Sequence, residues 1–195
     1  MKQRQGWIIG AAIGFLLVAG TGRVEAKEIP NNGNFAGTSL HSRIDRNDDG
    51  VPANWSTGVT TGNQGKRIFQ SLYESVPTGP TAGCPGGVFI IDAQNGKGFG
   101  TFTETFPNGD QCYARVLTLT SCSDGVGGYT GSTTISIVGG TGKFAGASGN
   151  TENNNAGFFQ AFDANAVPPQ GFGSFSGEFE GTLILPNGGH DHDED

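Results

Sequence analysis

Ile137-Val138-Gly139-Gly140-Thr141-Gly142-Lys143-Phe144-Ala145-Gly146-Ala147-Ser148-Gly149 is the stretch that decides how this chain is read. A Gly-Gly-Thr-Gly turn opens positive φ to the backbone, a region that residues with a Cβ resist. Lys143-Phe144-Ala145 then suits a single helical turn. Upstream runs an alternating series, Tyr129, Gly131, Thr133, Ile135 and Ile137; downstream lie further strand-like runs rich in Phe and Gly. The stretch is therefore a tight connection between two β-strands. It says more about fold than about chemistry.

The same pattern recurs on either side. The chain holds 35 Gly and 14 Phe, while Leu, Met and Ala are too sparse for long helices. No segment keeps a helical apolar period over three turns. Many short strands separated by Gly, Asn and Pro turns indicate an all-β sandwich or barrel. Gly171–Leu185 alternates most cleanly, with Phe175, Phe179, Leu183, Leu185 and glycines at odd positions. Even positions are mostly Ser174, Ser176, Glu178, Glu180 and Thr182. That is a strand with one dry and one wet face. Small and large residues alternating on the dry face suit the tapering interior of a small barrel. Tyr129, Ile135, Ile137, Phe175, Phe179 and Leu183 are accordingly the residues expected to line an apolar lumen and touch a ligand.

Gly98–Phe106 and Gln111–Thr120 flank Pro107-Asn108-Gly109-Asp110, and Asn-Gly is the strongest short hairpin signal. With Asn108 and Gly109 as a two-residue loop, Glu104 faces Tyr113, and Arg115 lies diagonal to Glu104. These three are the catalytic candidates. Burial raises the proton affinity of a carboxylate and a neighbouring guanidinium lowers it, so Glu104 could serve as general acid or base with Tyr113 steering protons. The plainer reading is a solvent-facing ion pair of little energetic weight. Arg67–Tyr73 and Val88–Asp92 read as strands divided by a Pro/Gly loop. Residues 27–66 read as polar and turn-rich, with one short strand near Phe35–Leu40. Asn150–Gly157 and Ala164–Gln170 read as connections.

The N-terminus has the form of a secretory signal peptide. Lys2 and Arg4 precede an uncharged apolar run from Trp7 to Gly20, and Val24-Glu25-Ala26 resembles a small-residue cleavage site. The run is too short and wrongly flanked for a spanning helix. The expected organisation is a signal peptide at 1–26, one β-barrel domain at 27–186 with an irregular part at 27–66, and an acidic His/Asp tail at 187–195. The product is expected to be secreted or periplasmic, with no membrane attachment after cleavage.

The whole chain carries net charge −7. Without Lys2, Arg4, Arg23 and Glu25, the 11 basic and 18 acidic residues become 8 and 17, a net charge near −9. That opposes binding to nucleic acid or anionic lipid. Cys84, Cys112 and Cys122 remain after export, and an oxidising compartment favours one disulfide. Cys112 and Cys122 flank one strand-like run, and ten extended residues span about 33 Å, too far for a bridge. Cys84 is expected to pair with Cys112 or with Cys122.

Other chemistry is thinner. Asp45, Asn47 and Asp49 alternate ahead of Gly50 like the first half of a calcium loop. Ser56, however, stands where a bidentate Glu belongs, so a plain Asp-Asp-Gly turn is preferred and any Ca²⁺ affinity is low. No other cofactor is expected. His190 and His192 sit in the acidic tail without a preformed site. His41 alone does not make a hydrolase triad. Asn54-Trp55-Ser56 is a glycosylation sequon, meaningful only in a eukaryotic secretory pathway.

The 137–149 stretch resembles the Gly-Gly-Thr-Gly-[Lys/Arg]-[Phe/Tyr] signature of the allene oxide cyclase and dirigent-like barrels. Asn108-Gly109-Asp110 and Gly181-Thr182-Leu183 also sit as in bacterial secreted relatives of that group, mostly of unassigned activity. The resemblance spans roughly residues 85–185. It implies an eight-stranded antiparallel barrel with an apolar lumen, often oligomeric, in a group whose cyclase and dirigent members handle hydrophobic small molecules. The motif is a structural turn, and no family active-site residue maps onto this chain. The expected function is binding of a hydrophobic small molecule in the lumen. A cofactor-free isomerase or cyclase and a structural extracellular module are the alternatives. One buried carboxylate in an apolar lumen favours the enzyme, a lumen without polar groups favours binding, and a filled lumen favours the structural role.

Cleavage after Ala26 is testable directly. Edman or mass-spectrometric sequencing of the exported protein is expected to begin at Lys27 or within a few residues of it; an intact Met1 on a cytoplasmic protein would exclude export.

Overall fold

The computed structural model describes residues 26–41, 53–163 and 170–186. They form eleven strands: β1 (Lys27–Pro30), β2 (Gly33–His41), β3 (Asn54–Gly62), β4 (Gly65–Glu74), β5 (Val76–Thr81), β6 (Cys84–Asp92), β7 (Phe99–Thr105), β8 (Gln111–Ser123), β9 (Gly128–Gly140), β10 (Ser148–Asp163) and β11 (Gln170–Leu185). Two short 3₁₀ turns, Ala93–Asn95 and Gly142–Phe144, complete the secondary structure.

Antiparallel ladders join β2, β3, β4, β7, β8, β9, β10 and β11 in that spatial order, and β11 pairs back onto β2. The sheet is thereby a closed eight-stranded barrel, and closure removes the unpaired edges an open sheet would expose. Two features depart from a plain barrel. β1 continues β2 along the same edge of β11, with Asn31 and Asn32 as the break between them. β6 and β7 share one edge of β8, β7 along Gln111–Arg115 and β6 along Thr118–Ser123. β5 pairs only with β6 and carries Pro77, Gly79 and Pro80, which blunt its free edge.

The opening motif closes one end of the barrel. Gly140 ends β9, and the 3₁₀ turn drops Phe144 into the interior, where it is 1% exposed. Its ring lies 4.5 Å from that of Phe106, and both pack with Ile137, Ala147, Leu183 and Leu185 into a dry floor. Thr141 pins the motif to the β7–β8 hairpin: its N–H donates to Gln111 O at 2.8 Å and its Oγ1 accepts from Gln111 N at 2.9 Å. Gly142 has φ of 54°, and a Cβ there would collide with the Asp110 carboxylate. The Gly-Thr-Gly spelling is thus dictated by the docking of this turn.

Three expectations give way. First, 27–66 is regular: its described residues supply β1, β2, β3 and the start of β4. Second, Asn150–Gly157 lies within β10. In β3 and along Asn150–Gly157 the inward positions hold Ser, Thr, Asn or Gly, so the usual apolar alternation is missing there. Third, the β7–β8 hairpin is one residue out of the expected register. Phe106 N donates to Asp110 O and Gly109 N to Phe106 O, which makes Pro107, Asn108 and Gly109 a three-residue loop with Gly109 at φ 87°. The pairs are Thr103 with Tyr113 and Glu104 with Cys112. A one-residue slip turns every side chain to the other face. Cys112, Ala114 and Val116 point inward beside Phe102 and Glu104, while Tyr113 and Arg115 are exposed.

The disulfide joins Cys84 to Cys122, with Cα atoms 5.2 Å apart, and Cys112 is free and buried. The bridge clips β6 onto β8.

Phe179 is 7% exposed and faces inward, whereas the adjacent Glu178 is exposed. Phe179→Ala is expected to lose about 3–5 kcal/mol in urea denaturation, and Glu178→Ala less than about 0.5 kcal/mol. Equal losses would contradict the inward assignment of the odd positions of β11.

Candidate functional site

Above the floor, the lumen holds a cavity of about 120 Å³. One wall is aromatic. Phe35 on β2, Phe69 on β4, Phe102 on β7 and Phe175 on β11 form a ring cluster with centroids 5.5 to 6.2 Å apart. Phe69 is seated over Gly58, where an added Cβ would approach its ring to 2.7 Å. Phe35 is seated in the same way over Gly177. The facing wall is aliphatic and polar: Ala114, Val116, Ile135 and Ile137 alternate with Thr133, Thr151, Asn153 and Asn155. The Oδ1 atoms of Asn153 and Asn155 are buried without a hydrogen-bond partner.

One ion pair interrupts this lining. Arg67 on β4 lies with Nε 2.7 Å from Glu104 Oε2 on β7, the side chains 1% and 11% exposed. The guanidinium also donates from Nη2 to Asn31 Oδ1 at 3.3 Å and from Nη1 to Gly65 O at 3.2 Å. It lies 5.4 Å from the Phe106 ring centroid and 5.2 Å from that of Phe179, so aromatic faces replace water around the charge. Asn31 Nδ2 in turn donates to Thr151 Oγ1 at 3.3 Å. The break between β1 and β2 is what turns the Asn31 amide into the barrel.

Burial pushes the Glu104 carboxyl above its ordinary range; the Arg67 charge and hydrogen bonds from Arg67 and Thr60 pull part of that back. Burial beside Glu104 holds the Cys112 thiol up at about 12, so it stays protonated and unreactive. At the other end of the lumen, Tyr73 is pushed to about 12 by burial and by Tyr129, with a Ser56 hydrogen bond opposing. Tyr129 is raised by burial and lowered by its bond with Ser39. His41, its ring 4.9 Å from Phe159, is lowered to about 4 by burial and is neutral at physiological pH.

The proposed lumen residues Tyr129, Ile135, Ile137, Phe175 and Phe179 line the cavity, and Leu183 lies in the floor below it. The three catalytic candidates are not brought together. Glu104 faces the cavity, but Tyr113 lies outside, its hydroxyl donating to Gln111 Oε1 at 2.7 Å, and Arg115 is exposed on the outer wall. The cation that meets Glu104 is Arg67, which the sequence reading left in a strand without a role. Its signal was an arginine at an inward odd position of a strand containing Phe69. Asp45, Asn47, Asp49, His190 and His192 lie outside the described residues. Among the described residues, no group of three His, Cys, Asp or Glu is placed to hold a metal, and no helix is long and apolar enough to cross a membrane.

Ladder and lumen together define a closed antiparallel eight-stranded barrel with an internal cavity. No protein-family model matches the chain, and no curated protein matches it. Among solved structures, a pterocarpan synthase dirigent protein matches at 13% sequence identity and a TM-score of 0.40, over 83% of this chain and 88% of that one. The barrel assignment rests on the strand pairing itself.

Because folding raises the proton affinity of Glu104, its ionisation opposes folding, and its contribution to stability falls as pH climbs past the ordinary 4.5. Arg67→Met removes the compensating charge. The variant is expected to lose about 3–5 kcal/mol at neutral pH and to recover most of it near pH 4, where Glu104 is protonated folded and largely protonated unfolded. Urea denaturation at both pH values measures this; a deficit independent of pH would mean that Arg67 acts through packing alone.

Proposed function

We propose that this is an exported barrel that binds a small, mainly apolar molecule in its lumen. The observation that carries the reading is the cavity bounded by four phenylalanines on one side and, on the other, by aliphatic residues and two asparagines whose Oδ1 atoms lack a hydrogen-bond partner. Its volume of about 120 Å³ is below the roughly 300–1,000 Å³ of drug-sized ligand sites. An engineered apolar cavity of about 150 Å³ in another protein takes benzene. The matching occupant is therefore about one ring in size, larger only if the phenylalanines swing aside. Placement outside the cytoplasm is supported by the Cys84–Cys122 disulfide, which persists in oxidising compartments.

A second reading has its own support. Glu104 is a buried carboxylate on the cavity wall with raised proton affinity, the feature expected of a cofactor-free isomerase or cyclase. Its pairing with Arg67 lowers its value as a free acid or base. The two readings separate in Glu104→Gln: a binder retains ligand, while an isomerase retains ligand and loses turnover.

Titration with benzene, toluene and indole, followed by melting temperature and by NMR shifts of lumen methyl groups, is the test. Saturable stabilisation is expected, reaching about 2.7 kcal/mol at one hundred times Kd. Ala114→Leu, which adds three carbons to the cavity wall, is expected to abolish it. Absence of saturable binding by every probe would favour the structural module instead.

A further inference from the structure

The outer wall of β10, β11, β2 and β3 carries an open groove that the lumen does not explain. It holds about 710 Å³, within the roughly 300–1,000 Å³ of ligand sites, whereas the lumen falls below that range. Cross-strand register builds the groove from two rows. Ala156, Ser176, Ala36 and Val59 stand side by side as its floor. One outward position along, Asn154, Glu178, Asn34 and Thr61 stand side by side as a ledge. All of these residues are exposed. The floor is low because Ala156, Ser176 and Ala36 have short side chains. On the inner face the Phe35 ring packs under Gly177, so the floor is backed by the aromatic cluster of the lumen.

The ledge selects the chemistry of an occupant. An ionised Glu178 only accepts hydrogen bonds, and each flanking amide both donates and accepts. The side chains of Asn154, Glu178 and Asn34 make no hydrogen bond or ion pair with another described residue. A wholly apolar occupant would strip water from these groups and give nothing in return. An anionic one would meet Glu178, with Glu152 and Glu180 facing each other in the next row and a chain charge of −7. A metal ion needs several converging oxygen ligands, and among the described residues no group of three His, Cys, Asp or Glu is so placed. A row of hydroxyls, each donor and acceptor, answers the amide–carboxylate–amide series. The floor asks for something else, because Ala156, Ala36 and Val59 present only hydrocarbon. The occupant therefore has a hydroxyl edge and a C–H face, and a pyranose ring has both. Neighbouring strands lie about 4.8 Å apart, so the ledge runs about 14 Å across four strands, roughly three pyranose rings end to end.

We propose that this outer groove binds a neutral oligosaccharide of about three sugar units, the length of the four-strand ledge. Glu178 accepts from sugar hydroxyls, Asn34 and Asn154 donate and accept on either side of it, and the Ala156, Ala36 and Val59 floor lies under the C–H face of the rings. The lumen lies on the other face of the same strands, so the two sites are separate and saccharide binding does not depend on what the lumen holds.

Isothermal titration calorimetry and amide NMR with short neutral oligomers of glucose, xylose, mannose and N-acetylglucosamine test this. At least one is expected to bind saturably and to shift backbone amide signals of β10, β11, β2 and β3. Glu178→Ala is expected to weaken that binding by about 10- to 100-fold while melting like wild type. Ala36→Trp, which sets a large ring on the exposed floor, is expected to abolish it, with the far-ultraviolet circular dichroism spectrum of a folded barrel retained. Arg115→Ala, on the exposed outer face of β8 across the barrel, is expected to bind like wild type. Absence of binding by every oligomer would overturn the proposal. So would a folded Glu178→Ala or Ala36→Trp variant that binds as tightly as wild type, or binding of spermidine in place of every saccharide, which would make the ledge a cation site.

Discussion

Arg67 cannot lose its charge, and inside a barrel it cannot keep that charge without company. That demand reaches into most of the lumen wall. Glu104 answers it from β7, the Asn31 amide from the break between β1 and β2, and the Phe106 and Phe179 rings from the floor and from β11. Asn31 passes the connection to Thr151 on β10, and Thr60 on β3 supports Glu104. A slip of β7 by one residue would replace Glu104 with a threonine and strand a guanidinium in an apolar interior. The ion pair therefore acts as a register mark for the strands around it, whatever its net energy relative to a hydrocarbon filling.

Around that centre the walls are fitted by size. Phe69 and Phe35 occupy spaces that exist because Gly58 and Gly177 have no side chain, and Phe144 occupies the floor because the Gly-Thr-Gly turn delivers it there. Rings on one wall face short side chains on the other, Ala114, Thr133 and Asn153. Large against small leaves a gap, and that gap is the cavity. A pocket of this kind is a product of the barrel's own packing, so filling it and stabilising the fold are the same physical event.

The parts of the fold legible in the sequence were those with apolar alternation. β9 and β11 announce their inward faces through Tyr129, Ile135, Ile137, Phe175 and Phe179, and the turn motif announces the bend after β9. β10 was illegible because Thr151, Asn153 and Asn155 face inward, where an apolar residue would have marked a strand. The N-terminal strands were obscured in the same way by Ser56 and Thr60. The hairpin slip had a visible cue. In a two-residue loop Pro107 would have to exchange both backbone hydrogen bonds with Asp110, and proline has no N–H to give. Placing Pro107 inside the turn removes the conflict and moves Tyr113 and Arg115 out of the site. Arg67 was overlooked because a lone arginine in a mixed strand is ordinarily solvent-facing; only the closed sheet shows which way it points.

That same register has a bearing on how the oxidised protein is reached. Three cysteines allow three pairings, and interconversion among them requires a thiolate to attack an existing bridge. Once β8 docks with Cys112 turned inward, its thiol is shielded and protonated, and the attacking species is withdrawn. The Cys84–Cys122 bridge, lying outside the lumen, is then kinetically isolated from the one sulfur able to reshuffle it. Oxidative maturation converges on a single covalent form without an even number of cysteines, because strand pairing has sequestered the third.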